Sequence, residues 1–353
     1  VQPFPGDLAM LGLGNSVGTP PGGVEAELAV VRNFEELEAR GEGVRGKIVL
    51  FNAPFTSYTE TVRYRTAGAA RAPRHGAVAA LIRSVGPPGL RTPHTGALRY
   101  EDGTPQIPAA ALATEDADRL QRLSDRGTRV VLRLQMDARL EGEVESANLV
   151  ADLRGRERPH EIVLVGGHLD SWDVGTGAVD DAGGCVVTWE AVRLVRALGL
   201  RPRRTLRVVL WTNEENGLRG ALAYRDRHRA ELADHVLALE SDSGVFQPLG
   251  FGFTGSSAAA QTVRAVASLL APLGAAEIAA GGGGADIGPI VQAAQVPAMS
   301  LNVDGSRYFA LHHTAADTVD KLDPREVAAC AGAVAVMAYV VADLPERLPR
   351  PAR

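Results

Sequence analysis

One stretch near the middle of the chain constrains the fold more than any other. Residues 161–165 form a short apolar run rich in β-branched side chains, which predicts a buried strand. The chain then presents His168, Asp170 and the pair Asp180–Asp181 before an apolar pattern with helical spacing begins. A histidine and carboxylates at the exit of a buried strand lie where α/β sheets place their ligands, and imidazole with carboxylate suits zinc. The alternative is an ordinary polar loop with surface aspartates.

The strand–helix alternation continues towards the end of the chain. Metal-type ligands follow three further predicted strands: Glu214 and Glu215 after 204–212, Asp242 after 235–240, and His312 and His313 after 296–301. These side chains converge in space if the sheet is mostly parallel. Adjacent glutamates on an extended chain point in different directions. One of the pair can therefore bind a metal while the other stays free as a base.

Residues 24–140 have the pattern of a separate module. Predicted strands alternate there with short helices, which is typical of a compact α/β unit, and none of the polar residues has metal-ligand spacing. We predict residues 1–23 as the N-terminal part of the catalytic domain, 24–140 as an insert that acts as a lid, and 141–353 as the catalytic domain. The glycines between Gly12 and Gly18 have the wrong spacing for a dinucleotide-binding loop, and no helix follows them.

The composition of the 353 residues argues against several classes of protein. A net charge of −5 gives no basic surface for nucleic acid. The two cysteines, Cys185 and Cys330, cannot build a disulfide framework and are predicted as buried thiols. The longest uncharged apolar run, residues 327–342, is short and rich in alanine, which predicts a buried helix and not a membrane span. Asp323 and the proline after it predict the start of that helix.

Five motifs resemble those of the co-catalytic dizinc aminopeptidases and carboxypeptidases: His168-Leu-Asp-Ser, Asp180-Asp181, Glu214-Glu215-Asn-Gly, Asp242 and His313-Thr-Ala-Ala-Asp-Thr. Further marks of one branch of this family, such as Pro93-His-Thr-Gly and His168-Leu-Asp-Ser-Trp-Asp-Val-Gly, extend the likeness from residue 8 to 350. Within the insert, Gly46-Lys-Ile-Val-Leu resembles a protease-associated domain. The resemblance implies a three-layer α/β/α zinc-peptidase domain with a mostly parallel central sheet, and an inserted α/β domain of protease-associated type.

The resemblance also implies two zinc ions per chain with five protein ligands: His168 and Asp242 on one ion, Glu215 and His313 on the other, and Asp180 bridging both. Glu214 is then the general base. Asp170 would hydrogen-bond to His168 and fix its tautomer, and the peptide bond after Asp180 is expected to be cis. Where many relatives have Ser-Asp-His, this chain has Ala-Asp-Ile around Asp286, so substrate contacts carried over to that position are in doubt.

These roles imply a zinc-dependent exopeptidase that hydrolyses dipeptides or short peptides through a zinc-activated water and a glutamate base. Two alternatives stay open. One is an aminopeptidase on longer peptides or an amidase on N-acyl amino acids; the other is a receptor-like binding module that keeps the fold without catalysis. Such modules lose metal ligands, whereas all five ligands and the base are present here. The resemblance also implies a homodimer and slightly favours a secreted protein.

Overall fold

Two β-sheets form the frames of two compact units in the computed structural model, which describes residue 3 and residues 5–350. The first unit runs to Val144 and also includes His313–Ala315. The second unit contains Glu145–His312 and the chain from Ala316 onward. The short segment His313–Ala315 therefore belongs by its contacts to a different unit from the residues on either side of it.

The first unit contains six strands and three α-helices within the described residues: β1 (Met10–Gly12), β2 (Val24–Val31), α1 (Phe34–Arg40), β3 (Ile48–Phe51), α2 (Tyr58–Arg71), β4 (Ala79–Arg83), β5 (Ala109–Leu112), α3 (Thr114–Asp125) and β6 (Val131–Leu134). The sheet order is β1-β5-β4-β3-β2-β6. The four central strands are parallel, and the edge strands β1 and β6 run antiparallel to their neighbours.

The strand β1 differs from the predicted domain division. Met10 pairs with Leu112 and Gly12 with Ala110, so this strand completes the sheet of the first unit. Residues 1–23 are predicted as part of the catalytic domain, whereas the structure pairs β1 with a strand of the first unit. The physical reason is that a short apolar run specifies a strand but not its pairing partner, which here lies far along the chain.

The first unit has an apolar core on each face of its sheet. Phe51 and Leu50 of β3 lie in different buried clusters, as the two-residue period of a strand requires. The rings of Phe34 in α1 and Tyr64 in α2 pack against Phe51. Leu120 of α3 packs on the opposite face with Leu50. Helices therefore cover both faces of this sheet.

The second unit contains seven strands and six α-helices within the described residues: β7 (Leu149–Leu153), β8 (Arg158–His168), α4 (Gly183–Ala197), β9 (Arg204–Trp211), α5 (Arg219–Arg227), β10 (His235–Glu240), β11 (Pro248–Thr254), α6 (Ser257–Ala267), β12 (Glu277–Ala280), α7 (Gly288–Ala294), β13 (Ala298–Val303), α8 (Tyr308–Leu311) and α9 (Pro324–Asp343). The sheet order is β12-β11-β13-β10-β8-β9-β7. The strands β13, β10, β8 and β9 are parallel, whereas β7 and β11 run antiparallel to β9 and β13. The predicted α/β class with a mostly parallel sheet is confirmed.

Both faces of this second sheet are also buried. Val163 of β8 packs with α4 and α9 on one face, and Ile162 packs with α5 and α7 on the other. By length and composition, α9 is the one helix in the described part of the chain that could cross a membrane. Its residues Val334, Met337 and Val341 are fully buried in the main core, as expected for the predicted core helix.

The predicted helix starts are only partly correct. Asp323 caps α9, since its carboxylate accepts a backbone N–H of the first turn at 2.8 Å. From its residue type Thr114 is also expected to cap a helix, but it is the first residue of α3, after Ala113. Asp286 does not cap α7, which begins after Ile287. The Asp286 carboxylate is buried, and neither of its oxygens has a hydrogen-bond partner in the described structure.

The parallel strands β8, β9 and β10 bring their carboxyl ends to one edge of the sheet. His168 ends β8 opposite Trp211 at the end of β9. Glu214 follows β9 after a short turn, and Asp242 follows β10. The predicted convergence of these strand ends is thus observed.

Candidate metal centre

The tautomer of His168 is fixed by a backbone carbonyl. Its Nδ1 lies 2.7 Å from the carbonyl oxygen of Asp170. A carbonyl can only accept, so Nδ1 carries a hydrogen, and in the neutral ring the lone pair is on Nε2. Nε2 points at two carboxylates, 3.1 Å from Oδ1 of Asp180 and 3.5 Å from Oδ1 of Asp242. In its neutral form, His168 can therefore bind a metal through Nε2, beside the carboxylates of Asp180 and Asp242.

Asp170 hydrogen-bonds to His168 through its main chain and not through its side chain. Its carboxylate lies 4.0 Å from Nδ1 of His168, and the backbone carbonyl takes the predicted hydrogen bond. The carboxylate instead accepts the backbone N–H groups of Glu214 at 3.0 Å and Glu215 at 3.2 Å. One residue thus orients the histidine through its main chain and holds the paired glutamates through its side chain.

The two adjacent glutamates have different surroundings. Oε2 of Glu215 accepts a hydrogen bond from the indole Nε1–H of Trp172 at 2.7 Å. No described residue donates a hydrogen bond to the side chain of Glu214, and burial raises the pKa of that carboxyl to about 7. The turn that separates the pair from β9 depends on Asn213, whose φ of 64° is left-handed. The sequence predicts different roles for the two glutamates, and the hydrogen bond from Trp172 to Glu215 gives them different surroundings.

Asp180 and Asp181 also divide their roles. The peptide bond between them is cis, as the resemblance implies. Asp180 faces two histidines, with Oδ1 3.1 Å from Nε2 of His168 and Oδ2 3.6 Å from Nε2 of His312. Both oxygens of Asp181 are taken up by the chain itself, since they accept the backbone N–H groups of His168 at 3.0 Å and Gly184 at 3.2 Å. Asp180 is therefore the better candidate for a shared metal ligand.

Two further residues keep this loop in place. Asp317 accepts the backbone N–H of Val179 at 2.6 Å and that of Asp180 at 3.1 Å. At Gly184 a side chain would not fit, because a Cβ would lie 1.9 Å from the carbonyl oxygen of Ser241. The glycines at the start of α4 thus allow the helix to approach the end of β10 closely.

The electrostatics of the cluster favour a bound cation. Burial raises the pKa of Asp242 to about 7, and burial also raises the pKa of Asp181. Burial alone would lower the pKa of His168, but hydrogen bonds with Asp180 and Asp242 outweigh it and raise that pKa. Several carboxylates thus share one imidazole in a place shielded from water. Divalent cations relieve such crowding of negative charge.

The donor atoms also have the spacing of a metal site. One atom from each of His168, Asp180 and Glu215 lies within 4.8 Å of the others, and the same holds for His168, Asp181 and Asp242. Imidazole and carboxylate donors fit zinc. The donor set therefore fits the metal that the resemblance implies.

The two adjacent histidines differ in their contacts. His312 is buried after α8, against the rings of Tyr308 at 5.1 Å and Phe309 at 5.5 Å. His313 has a left-handed φ of 60° and is grouped with the first unit. Its Nδ1 lies 3.2 Å from the carbonyl oxygen of Thr95. The family motif assigns no role to His312, but the structure places its Nε2 3.6 Å from Oδ2 of Asp180.

Comparison with known proteins assigns the chain to a family. The model of Peptidase family M28 matches residues 148–338. Carboxypeptidase Q of Mus musculus is 48% identical over 343 residues, which cover 97% of this chain and 73% of the mouse protein. The crystal structure of a peptidase M28 precursor from Shewanella amazonensis SB2B is 36% identical, with a TM-score of 0.94 over 100% of this chain and 82% of that chain. BSAP, a zinc aminopeptidase from Bacillus subtilis, shares the fold at 19% identity, with a TM-score of 0.70 over 97% of this chain and 83% of its own.

The chain belongs to peptidase family M28. Within this family it is similar to carboxypeptidase Q, to which the Pro93-His-Thr-Gly and Ser-Trp-Asp-Val-Gly marks point. The resemblance drawn from the motifs is confirmed, and so is the predicted enzyme class of a zinc metallo-exopeptidase.

Proposed function

We propose that this protein is a dizinc exopeptidase that hydrolyses dipeptides and short peptides. One observation carries the proposal: the paired acids after β9 are divided into a held carboxylate and a free one. Trp172 occupies one oxygen of Glu215, whereas Glu214 has no donor among the described residues and lies beside the histidine–carboxylate cluster. Hydrolysis with a metal and a separate base needs such a division. Family membership and the intact donor set support the same conclusion.

The proposed ligands follow the motif assignment. His168 and Asp242 would hold one zinc ion, Glu215 and His313 the second, and Asp180 would bridge them. Bound zinc lowers the pKa of an attacking water towards neutrality and polarises the scissile carbonyl. The cation would also balance the buried carboxylates whose pKa values are raised by their shared burial.

Glu214 is proposed to carry the proton. Its carboxylate accepts a proton from the attacking water and donates it to the departing amine, which restores the base for the next turnover. Burial raises its pKa to about 7, so the group can both accept and release a proton near neutral pH. Asp170 keeps this carboxylate in position, because it binds the backbone N–H groups of both glutamates.

A dipeptide panel tests the proposal directly. Hydrolysis is measured with the protein as purified, after dialysis against a chelator, and after zinc is added back, with elemental analysis of each sample. If the five proposed ligands hold two ions, we expect about two zinc ions per chain. Hydrolysis should be lost after chelation and should recover when zinc is added. Full activity in a sample that contains no metal would overturn the mechanism.

Substrate length is the second test. The mouse relative is named a carboxypeptidase and the Bacillus subtilis structure an aminopeptidase, and both names describe removal of a terminal residue. We propose that this chain also acts at a chain end. A peptide series with one shared terminal pair and increasing length should show hydrolysis of the dipeptide and no cleavage of internal bonds. Equal cleavage of internal bonds in long peptides would contradict an exopeptidase.

A further inference from the structure

The segment Pro93–Gly96 carries the family resemblance but has no role predicted from the sequence. The structure places the carbonyl of its Thr95 between two side chains. Nδ1 of His313 lies 3.2 Å from this carbonyl oxygen, and Nη1 of Arg65 donates to the same oxygen at 3.2 Å. Nη1 and Nδ1 are themselves 3.4 Å apart. The carbonyl has two lone pairs, so both N–H groups can converge on it.

This carbonyl is held in a fixed position. The backbone N–H of Thr95 donates to the carbonyl oxygen of His313 at 3.0 Å, which ties the two residues together in both directions. The Thr95 hydroxyl donates to the carbonyl of Gly12 at 2.7 Å, and Gly96 accepts the N–H of Gly14 at 3.1 Å. The acceptor is therefore anchored to the edge of the first sheet, and it also restrains the left-handed backbone of His313.

The chemistry of the three groups selects one form of the imidazole. A carbonyl only accepts, so a ring that bonds to Thr95 carries its hydrogen on Nδ1 and has a free lone pair on Nε2. In the opposite tautomer, Arg65 would donate to Nδ1 and the hydrogen on Nε2 would exclude a metal from that nitrogen. A ligating histidine commonly donates its other N–H to a carbonyl or carboxylate, which fixes the ring. The Thr95 carbonyl fits that description.

The surroundings of Arg65 hold its guanidinium next to the Thr95 carbonyl. The residue is 6% exposed, and its guanidinium has no carboxylate within ion-pair distance in the described structure. Nη2 donates to the hydroxyl of Tyr58 at 2.8 Å, and the guanidinium lies 5.6 Å from the centroid of that ring. At Gly96, whose φ is +139°, a Cβ would lie 2.3 Å from Cζ of Arg65. The glycine therefore makes room for the arginine beside the carbonyl.

We propose that Arg65 and the Thr95 carbonyl are positioning groups for His313: they hold its ring in the tautomer and orientation in which Nε2 binds zinc. The proposal rests on the proposed function, in which His313 is a ligand of the second zinc ion. It assigns to the predicted insert a part in metal binding that the insert's sequence, which has no metal-ligand spacing of its own, does not reveal.

The test measures zinc affinity in the full chain. Arg65→Met and Arg65→Lys are equilibrated with zinc in a series of competing chelators, and bound zinc is counted by elemental analysis. Loss of a ligand's outer hydrogen-bond partner typically weakens metal binding ~10–100-fold. We expect that loss for one of the two ions in Arg65→Met, with the other ion unaffected, and partial recovery in Arg65→Lys, whose ammonium can still donate to the carbonyl. Arg63→Met, on the exposed side of α2, is the matched control and should bind zinc as the unmodified protein does.

A parallel His313→Ala variant separates this inference from the proposed function. Unchanged binding of both ions in His313→Ala would overturn the ligand assignment itself. Weakened binding in His313→Ala together with unchanged binding in Arg65→Met would overturn only the positioning role. Should Arg65→Met not fold, ¹⁵N NMR of the imidazole in the unmodified zinc-loaded protein decides the matter. A protonated, hydrogen-bonded Nδ1 of His313 supports the inference, and a hydrogen on Nε2 refutes it.

Discussion

Each of the two units contains a sheet with parallel central strands, but different residue types lie at the carboxyl ends of those strands in the two sheets. In the first unit, Arg83 at the end of β4 donates to Oδ1 of Asn52 at 3.2 Å, to the carbonyl of Thr114 at 3.3 Å, and to Asp118. An arginine thus donates hydrogen bonds to the acceptors at that edge. In the second unit the corresponding edge presents His168 beside the carboxylates of Asp180 and Asp242.

The two edges differ most in their buried acidic residues, which lie at the edge of the second sheet. Asp181, Glu240, Asp286 and Asp317 are buried, and none has an arginine or lysine within ion-pair distance in the described structure. Burying a carboxylate without a cation is costly, so proteins pair such groups or bind a metal. The fold alone therefore does not define the active unit, since both sheets have parallel strands. The residues at the strand ends do, because the buried carboxylates at the second edge provide negative charge that a metal can balance.

The largest expected effect tests the free base at the acidic edge. Glu214→Gln keeps the shape of the side chain but cannot accept a proton, so kcat should fall by ~10²–10⁴-fold while both zinc ions stay bound. Steady-state kinetics on a dipeptide, with elemental analysis of the same sample, measures both quantities. Glu277→Gln, at the exposed start of β12, is the control and should leave kcat unchanged. Near-normal turnover of Glu214→Gln with zinc retained would assign the base to another residue.

The next effect concerns the two adjacent histidines. His313→Ala should weaken one zinc ion by more than ~100-fold, because a direct ligand contributes more than its outer partner does. His312→Ala removes a ring that packs on Tyr308 and should weaken zinc binding by less than ~10-fold on the same reasoning. Zinc per chain after equilibration with a competing chelator distinguishes them. The reverse order would make His312 the ligand, in line with its 3.6 Å approach to Asp180.

A smaller effect is expected at Trp172, which supports the held acid and not the free one. Trp172→Phe keeps the ring but removes the N–H that donates to Glu215, and the affinity for one zinc ion should fall ~10–100-fold. Trp189→Phe is the matched control, since Trp189 is 61% exposed on α4. If the two variants bound zinc equally well, the indole hydrogen bond would have no part in dividing the glutamates.

Much of this site could be predicted because its signals are local. The end of β8 and its His168 lie within one short stretch, and the adjacent acids Glu214 and Glu215 follow β9 directly. Parallel pairing then brings these strand ends together. The α/β class follows from the same alternation of strands and helices, so one pattern accounts for both the fold and the convergence of the site.

What the sequence could not predict depends on pairing between distant segments or on the choice of one atom over another. The pairing of β1 with β5 and the meeting of Arg65, Thr95 and His313 join segments that are far apart in the chain. The sequence predicts a hydrogen bond between Asp170 and His168, but it does not reveal that the backbone carbonyl of Asp170 makes it. The residue type identifies a possible hydrogen-bond partner, but the path of the backbone decides which of its oxygen atoms lies within hydrogen-bonding distance.

The smallest functional effect is expected at the basic edge, where Arg83→Met removes the cation that satisfies the first sheet. The buried partners Asn52 and Thr114 would lose a charge-assisted donor, and the free energy of unfolding should fall by ~1–3 kcal/mol. Zinc content and kcat should not change, because this edge holds an arginine where the other holds acids. Chemical denaturation and elemental analysis of the same preparation measure both. A loss of zinc without a loss of stability would show that the two edges are not chemically separate, and the contrast between them would have to be abandoned.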